Sequence, residues 1–190
     1  MEDAIRRIIK QIIKEPLLKS AFEEELKELN SNNCSDFHSN EVGFKVNIDK
    51  DCHVTFVDYP DLEIPSYQAQ TLYIFYLLIP QGISNEELVA YEKTLIKIYK
   101  QVCKYKIGDD YRAQNVIRGM LLRKGGISDA TNKIRKAFRE KIINPKEFDQ
   151  YVIKGNRKGK RLIDIPKEKI KIECDFLSSL KEEIKKLHKN

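Results

Sequence analysis

The side chains with the clearest chemical potential lie in the second half of the chain, over residues 128–142. Apolar residues recur there every three or four positions, which predicts an amphipathic helix with Ser128 as its N-cap. The opposite face then collects Ser, Thr, Asn, Arg and Lys. Arginine can pair with guanine, asparagine with adenine, and the threonine methyl can touch the thymine methyl, so this face could read base edges in DNA. The residues expected on this face are Ser128, Thr131, Asn132, Arg135, Lys136 and Arg139.

A second set of basic residues follows in a glycine-containing loop, residues 154–160, between two predicted strands, residues 150–153 and 161–165. Gly155 and Gly159 allow a tight turn, and the loop holds no apolar side chain that could pack on a core. A basic hairpin of this kind is suited to contacts with DNA phosphates, or to an arginine in the minor groove. The residues assigned to this contact are Lys154, Arg157, Lys158, Lys160 and Arg161.

The distribution of charge supports this assignment. The chain has a formal net charge of +6, and its two halves differ in sign. Residues 1–110 hold 13 Lys and Arg against 19 Asp and Glu, whereas residues 111–190 hold 22 against 10. A basic half beside an acidic half is the pattern expected of a surface that binds a polyanion. A solvated basic face without a partner is the alternative explanation for both sets of residues.

Further helices and strands are predicted to position these two sets. Isoleucines and leucines at helical spacing predict a helical arm over residues 2–30, which Pro16 divides or kinks. Alternation with period two predicts a small antiparallel sheet over residues 43–65. Ser84 and Glu87 form a capping box that begins a long helix. The remaining predicted elements are helices over residues 67–79, 84–104, 111–122 and 175–189, and strands over residues 62–64 and 169–173.

Composition limits the class of protein. The chain has 190 residues, of which 41% are hydrophobic and 34% charged, so it can build a core and is not a low-complexity sequence. No apolar run approaches the roughly 18 residues that cross a membrane, and the N-terminus lacks a signal-peptide pattern. We therefore expect a cytoplasmic globular protein without membrane contact. The expected domains are a helical arm (1–35), a main domain (40–172) and a C-terminal helix (173–190).

Metal and cofactor sites are not expected. The four cysteines form no CxxC pair, and no common cofactor motif occurs. Cys34 and His38, together with Cys52 and His53, could ligate zinc on paper, but their spacing matches no common zinc finger or ribbon. Buried or loop thiols beside surface histidines are the more frequent explanation of such residues.

The order of these elements resembles the winged-helix DNA-binding domain of the OmpR/PhoB-type response-regulator output family. The stretch Phe44–Ile64 is similar to the leading sheet of that family. Gln70–Leu88 is similar to its first helix and to the glycine before its capped second helix. Asp129–Phe138 resembles its recognition helix, and Tyr151–Ile165 its wing. The resemblance extends over about residues 43–166 and is one of pattern and order rather than of a strict motif.

The resemblance implies an α+β winged helix: an N-terminal small antiparallel sheet, a three-helix core and a C-terminal hairpin wing. It also implies sequence-specific binding of double-stranded DNA and a role in transcription regulation. Helix 128–142 of the helix-turn-helix would enter the major groove, and wing 154–161 would touch the backbone. We expect no receiver domain before this region, since residues 1–30 are predicted to be only helical, and residues 105–126 are longer than the corresponding loop of the family. We therefore expect a free-standing regulator or an accessory DNA-binding protein.

Three other classes of function fit the sequence less well. A protein interaction module built on a winged helix, such as an accessory subunit of a larger complex, is the main alternative. An enzyme is not expected, because no catalytic motif occurs and the acidic groups that could bind Mg²⁺ lie in predicted turns, namely Asp58, Asp61 and Glu63, and Asp109 with Asp110. RNA binding through aromatic residues on the sheet is also less favoured, because Phe44 and Phe56 more simply form its core face.

Self-association through the N-terminal helix is a further prediction. Regulators with twofold symmetry read two half-sites, and the isoleucine and leucine stripe of residues 2–29 offers an apolar face to a second copy. Light scattering should give the mass of a homodimer for the full chain and of a monomer for a chain without residues 1–30. A monomeric mass for both would contradict this prediction.

Overall fold

A computed structural model describes residues 43–104, 110–155 and 159–187 of the chain. All of them belong to one of the two units into which the chain divides, residues 42–190. The helical arm predicted over residues 2–30 lies outside the described residues. The described part contains seven α-helices and one three-stranded sheet, so its class is α+β, as the sequence predicts.

The sheet is mixed rather than antiparallel, which corrects the prediction. Its central strand pairs antiparallel with one neighbour and parallel with the other. The parallel neighbour is the strand predicted over residues 169–173. Residues 62–64 form no strand, because the N–H of Leu62 closes a turn on the carbonyl of Tyr59. The order across the sheet is β2-β1-β3, with β1 at Val46–Ile48, β2 at Val54–Phe56 and β3 at Ile170–Ile172.

Helices make up most of the described part. The first begins after Ser66, whose side chain accepts a hydrogen bond from the N–H of Ala69 at 3.2 Å. Its residues 69–78 are all buried, as the apolar run predicts. None of the described helices is both long and apolar enough to cross a membrane. The helices are α1 Tyr67–Leu78, α2 Asn85–Val89, α3 Glu92–Val102, α4 Asp110–Leu122, α5 Gly126–Lys141, α6 Pro145–Tyr151 and α7 Asp175–Leu187, and a 3-10 turn covers Lys167–Lys169.

The capping box is confirmed, but the long helix predicted after it is divided. The Ser84 N–H donates to a carboxylate oxygen of Glu87 at 2.8 Å, and the Glu87 N–H donates to the Ser84 hydroxyl oxygen at 3.2 Å. The helix that begins there, α2, has only five residues. The chain turns at Ala90 and Tyr91, and α3 then continues the predicted inner face with Leu95.

The strand predicted over residues 150–153 is wrong, because the chain remains helical up to Tyr151. The side chain of Asn144 accepts a hydrogen bond from the N–H of Lys146 at 3.0 Å, and Pro145 occupies the first turn. An asparagine N-cap followed by proline is a strong signal for the start of a helix. These local signals outweigh the β-branched residues at the end of the segment.

Four aromatic rings join β2 to the helices at the centre of the core. Phe56 stands edge-on to Tyr73, Phe138 and Tyr151, with ring centroids 5.1 to 5.8 Å apart. Such contacts add about 0.5–1.5 kcal/mol each to the free energy of burial. The Tyr73 hydroxyl also donates to the carbonyl oxygen of Tyr151 at 2.8 Å. α7 packs against the same core through Leu177, Leu180 and Ile184.

α5 begins two residues earlier than predicted, at Gly126, and two adjacent glycines allow this. Gly125 has a φ of +89°, which favours glycine. A Cβ on Gly126 would lie 2.3 Å from the carbonyl oxygen of Met120, so no side chain fits there. The two glycines therefore form a tight turn between α4 and α5, and Ser128 lies within the first turn of α5 rather than at its cap.

Two tyrosine hydroxyls donate to carboxylates where the turn after β2 meets α6. Tyr151 donates to Asp58 at 2.7 Å, and Tyr59 donates to Glu147. The hydrogen bond to Glu147, aided by partial burial, raises the pKa of Tyr59 to about 12. Burial raises the pKa of Tyr73 well above its ordinary value. The folded protein therefore holds these tyrosines in their neutral form.

We expect the free energy of unfolding to fall as the pH rises above about 10. Tyrosine in the unfolded chain loses its proton near pH 10, whereas folded Tyr59 retains it up to about pH 12. The contribution of Tyr59 to stability is therefore fully present below about pH 10 and is lost as the pH rises toward about 12. Urea titrations at several pH values in this range give the slope of the free energy of unfolding against pH. Tyr59→Phe should make this negative slope shallower by the equivalent of up to about one proton. Tyr111→Phe, which removes an exposed hydroxyl, is the matched control, and equal slopes for the two variants would contradict the assignment.

Candidate nucleic-acid interface

α5 carries the larger set of predicted DNA contacts, and the core fixes one side of it. Ile134 and Phe138 are fully buried. On the opposite side Asn132, Lys136 and Arg139 are exposed. Two other predicted residues, Ser128 and Arg135, are half-buried at the edge of this exposed side. The structure therefore brings these five polar residues together on one arc of the helix.

Thr131 does not face outward, which corrects the prediction for this residue. It is only 4% exposed, and its hydroxyl donates to the carbonyl oxygen of Ile127 at 2.8 Å. Thr131 follows Ile127 by four residues and precedes Ile134 by three, and both isoleucines are buried. Helical spacing thus places Thr131 beside the buried side as well as beside the polar one. We assign no base contact to its methyl group.

The outward arc of α5 is cationic, and its acidic residues lie at the margins. Asp129, in the first turn, accepts a hydrogen bond from the Arg123 guanidinium at 2.6 Å. Glu140 is exposed near the other end. The guanidinium of Arg139 lies over the ring of Phe148 in α6, 5.3 Å from its centroid. A cation held on an aromatic face loses part of its freedom before it meets a ligand.

Backbone hydrogen bonds close the base of the hairpin predicted over residues 154–161 and tie the hairpin to the chain before α2. Lys154 and Leu162 exchange bonds of 2.8 and 3.2 Å. Arg161 and Ile83 exchange bonds of 2.8 and 3.0 Å. Because Ile83 lies between α1 and α2, the basic hairpin, residues 154–162, is anchored to the chain that enters α2.

The exposed charge of the basic hairpin is smaller than its sequence suggests. The ammonium of Lys154 is paired with Asp164 at 3.0 Å, whereas Lys160 is exposed. A Cβ on Gly155 would lie 2.2 Å from the carbonyl oxygen of Lys160, and Gly155 has a φ of +103°, so the tight return requires glycine. Two further predicted contacts lie outside the described residues, namely Arg157 and Lys158.

Arg161 is buried within the protein, although the sequence assigns it to a DNA contact. It is only 5% exposed. Its guanidinium donates to Oγ1 of Thr131 at 3.2 Å and to Oγ of Ser128 at 3.3 Å. The strand predicted over residues 161–165 is reduced to bridges at Arg161 and Leu162, but burial still alternates along this segment, and Arg161 is in phase with Ile163 and Ile165, which are both buried. Arg161 is therefore an internal link and not a phosphate contact.

This link joins the basic hairpin to the first two turns of α5. The Arg161 backbone is held by the chain before α2, and its side chain is held by Ser128 and Thr131. Its positive charge also lies close to the phenol of Tyr76 in α1. Burial raises the pKa of Tyr76 to about 12, and the charge of Arg161 opposes that rise. The two basic segments are thus held in one arrangement.

Sequence reasoning missed part of this surface. Lys133 is exposed beside Asn132 and Lys136. It is not predicted, because it lies outside the narrow helical face that contains residues three, four, seven and eleven positions after Ser128. A wider arc on the helical wheel would have included it. The linking role of Arg161 could have been found from its alternation with the isoleucines that follow.

Two of the acidic residues that the sequence offers as candidates are engaged by neighbouring side chains. Asp58 accepts a hydrogen bond from Tyr151, and Asp110 is paired with Lys100. Among the described residues, no group of three or more His, Cys, Asp or Glu side chains could hold a metal ion. Two of the zinc candidates, Cys34 and His38, lie outside the described residues.

Comparisons with known proteins do not assign the chain to a family. No protein family model matches it, and neither a curated protein nor a solved structure is significantly similar to it. Function is therefore inferred from the chemistry of α5 and of the basic hairpin.

Proposed function

We propose that this protein binds double-stranded DNA through α5 and the basic hairpin. The observation that carries the proposal is the buried Arg161, which links the hairpin to Ser128 and Thr131 of α5. A surface that binds a regular polyanion benefits from cations at fixed separations, because no conformational freedom is lost when it binds. The link from Arg161 to Ser128 and Thr131 supports such an arrangement, because it joins the base of the hairpin to the helix that carries the other exposed cations.

The dimensions and chemistry of α5 suit the major groove. The helix has 16 residues and is therefore about 24 Å long. A helix of about 10–12 Å diameter enters a major groove that is about 12 Å wide. Asn132 and Arg135 are the side chains proposed to read adenine and guanine. Lys136 and Arg139, on the same arc, are proposed to stabilise the complex with the adjoining backbone.

We also infer a winged-helix arrangement from the order of the elements. α1 is followed by the segment at Ile83, then by α2, α3, α4, α5 and α6, and finally by a hairpin whose Arg161 pairs with Ile83. In this arrangement α5 is the recognition helix and the hairpin is the wing. A transcription regulator or an accessory DNA-binding protein of the cytoplasm, acting as a dimer, is the biological role proposed.

Competition between polyanions tests this function. The protein is first bound to a fluorescent duplex of random sequence, which is then displaced either by unlabelled duplex or by polyglutamate of equal total charge. The concentration needed for displacement should be at least about tenfold lower for the duplex than for polyglutamate. The reason is that a helix and a hairpin at a fixed separation match the groove and backbone of a duplex, whereas a flexible polyanion offers only charge. Equal competition would mean general cation exchange and would overturn the proposal.

Removal of one exposed cation from the hairpin gives a second prediction. Lys160→Ala should make the negative slope of log affinity against log salt shallower by about 0.9. It should weaken binding to all DNA sequences alike, because a phosphate contact carries no base information. Lys50→Ala, at an exposed lysine between β1 and β2, is the matched control and should leave the slope unchanged. Identical salt slopes for the two variants would remove the hairpin from the interface.

A protein interaction module remains the second candidate, and one surface favours it. Val89 and Leu122 are 38% and 68% exposed, and together with Ile127 they border a hollow of about 390 Å³ beside the α4–α5 turn. Exposed apolar side chains around a hollow are typical of protein contacts. A chain that binds no duplex but captures a protein partner through this hollow would support this candidate.

A further inference from the structure

Two buried cysteines from distant parts of the sequence are in contact. Cys52, in the turn between β1 and β2, and Cys174, directly before α7, are separated by 122 positions, yet their Sγ atoms lie 3.2 Å apart. They are 0% and 3% exposed. The third cysteine in the described residues, Cys103, directly follows α3 and is half-buried.

Regular backbone hydrogen bonds hold both cysteines in place. Ile48 of β1 pairs with Ile172 of β3, and the N–H of Glu173 donates to the carbonyl oxygen of Ile48 at 2.8 Å, directly before Cys174. On the other side, the carbonyl oxygen of Cys52 accepts a hydrogen bond from the buried Gln70 side chain at 2.7 Å. The contact between the thiols is therefore set by the parallel strand pair and by α1.

The separation of the two sulfurs is close to that in a disulfide. A disulfide joins sulfurs about 2.05 Å apart, so the two Sγ atoms need to approach by only about 1 Å. Burial, with added effects of Cys174 and of the nearby Asp49 and Asp51 carboxylates, raises the pKa of Cys52. A thiol that rarely ionises reacts slowly, so the reduced pair is stable in a reducing environment.

We propose that Cys52 and Cys174 are an oxidisable pair that forms an intramolecular disulfide with oxidants of the glutathione disulfide class. One cysteine thiolate attacks glutathione disulfide, forms a mixed disulfide and releases one glutathione. The thiolate of the other cysteine attacks the protein sulfur of that mixed disulfide and releases the second glutathione. The protein loses two protons and two electrons, and one glutathione disulfide becomes two glutathione thiols.

The bond would tie the start of α7 to the first hairpin of the sheet. It would close a loop of more than 100 residues, and a cross-link over a long loop restricts the unfolded chain most strongly. The melting temperature of the oxidised protein should therefore exceed that of the reduced protein by about 5 °C or more. This consequence is independent of DNA binding.

Refolding in defined redox buffers tests the proposal. The full chain with Cys34→Ser and Cys103→Ser retains only the proposed pair. It is reduced, unfolded in urea and refolded in mixtures of glutathione and glutathione disulfide, which gives the oxidant access to both thiols. Mass spectrometry should show a loss of about 2 Da without added glutathione, and digestion should yield a linked peptide that contains both cysteines.

The controls separate this bond from general oxidation. Cys52→Ser and Cys174→Ser, each made in the same background, should show no such mass loss and no melting difference between oxidising and reducing buffers. The unsubstituted chain, digested after the same refolding, should give the same linked peptide. Glutathione adducts on separate cysteines, or folded protein without the linked peptide under oxidising conditions, would overturn the proposal.

Discussion

Replacing Arg161 by methionine should weaken duplex binding by about tenfold or more, which corresponds to about 1.4 kcal/mol. The side chain is buried and is assigned no contact with DNA. Its loss removes the hydrogen bonds to Ser128 and Thr131 that hold the hairpin against α5. Cations that are no longer held at a fixed separation bind a duplex less tightly, because binding must then order them.

A control and a double-mutant cycle distinguish positioning from general destabilisation. Methionine is apolar and of similar length, and the Thr131 hydroxyl keeps its hydrogen bond to the carbonyl oxygen of Ile127, so the substitution leaves no buried charge without a partner. Arg118→Met is the control. It removes an exposed guanidinium that is paired with Glu92, and it should have little effect on duplex affinity or on stability. In the Arg161→Met background Lys160→Ala should cost less affinity than in the wild type, because the hairpin is already displaced. The account is contradicted if the effects of Arg161→Met and Lys160→Ala on affinity are fully additive. It is also contradicted if a folded Arg161→Met variant binds duplex with wild-type affinity, since the link then does not position the hairpin.

The second large effect is expected on α5. Arg135→Ala and Asn132→Ala should each weaken binding to the preferred duplex by about 1–3 kcal/mol and relax base choice at the contacted position. The preferred duplex is selected from a random library, and affinities are then compared over all single-base changes. Lys133→Ala, at an exposed neighbour on the same helix, is the matched control and should weaken all sequences alike.

The assignment of roles to α5 and the hairpin can be reversed by these data. If Lys160→Ala changed base preference whereas Arg135→Ala and Asn132→Ala did not, the hairpin would be the reading element. The burial of Ile134 and Phe138 on the inner side of α5 makes that outcome unexpected, because it leaves the outward arc free to face a duplex.

The sequence predicts local structure well where a short-range signal is strong. The apolar run of α1 and the capping box at Ser84 and Glu87 are both confirmed, because each is determined by residues within a few positions of one another. α6 is missed for the opposite reason, since two signals compete there. The β-branched residues near Tyr151 favour a strand, whereas Asn144 and Pro145 favour a helix start, and the helix forms.

The interior of the candidate site is harder to predict than its surface. Asn132 and Arg135 lie on the arc that helical spacing indicates, but Thr131 lies at its boundary and is buried. The phase of Arg161 with the isoleucines after it indicates an inward side chain, whereas its charge alone indicates an exposed one. The contact between Cys52 and Cys174 depends on the parallel pairing of β1 with β3, and no local pattern reveals such pairing.

The most direct test of the central claim is fluorescence anisotropy of a random duplex, titrated with the full chain at several salt concentrations. We predict binding with a micromolar dissociation constant at low salt and a steep negative slope of log affinity against log salt. That slope would show that several phosphates are contacted. No binding at low salt, or binding that does not depend on salt, would contradict the proposal that α5 and the basic hairpin form a DNA-binding surface.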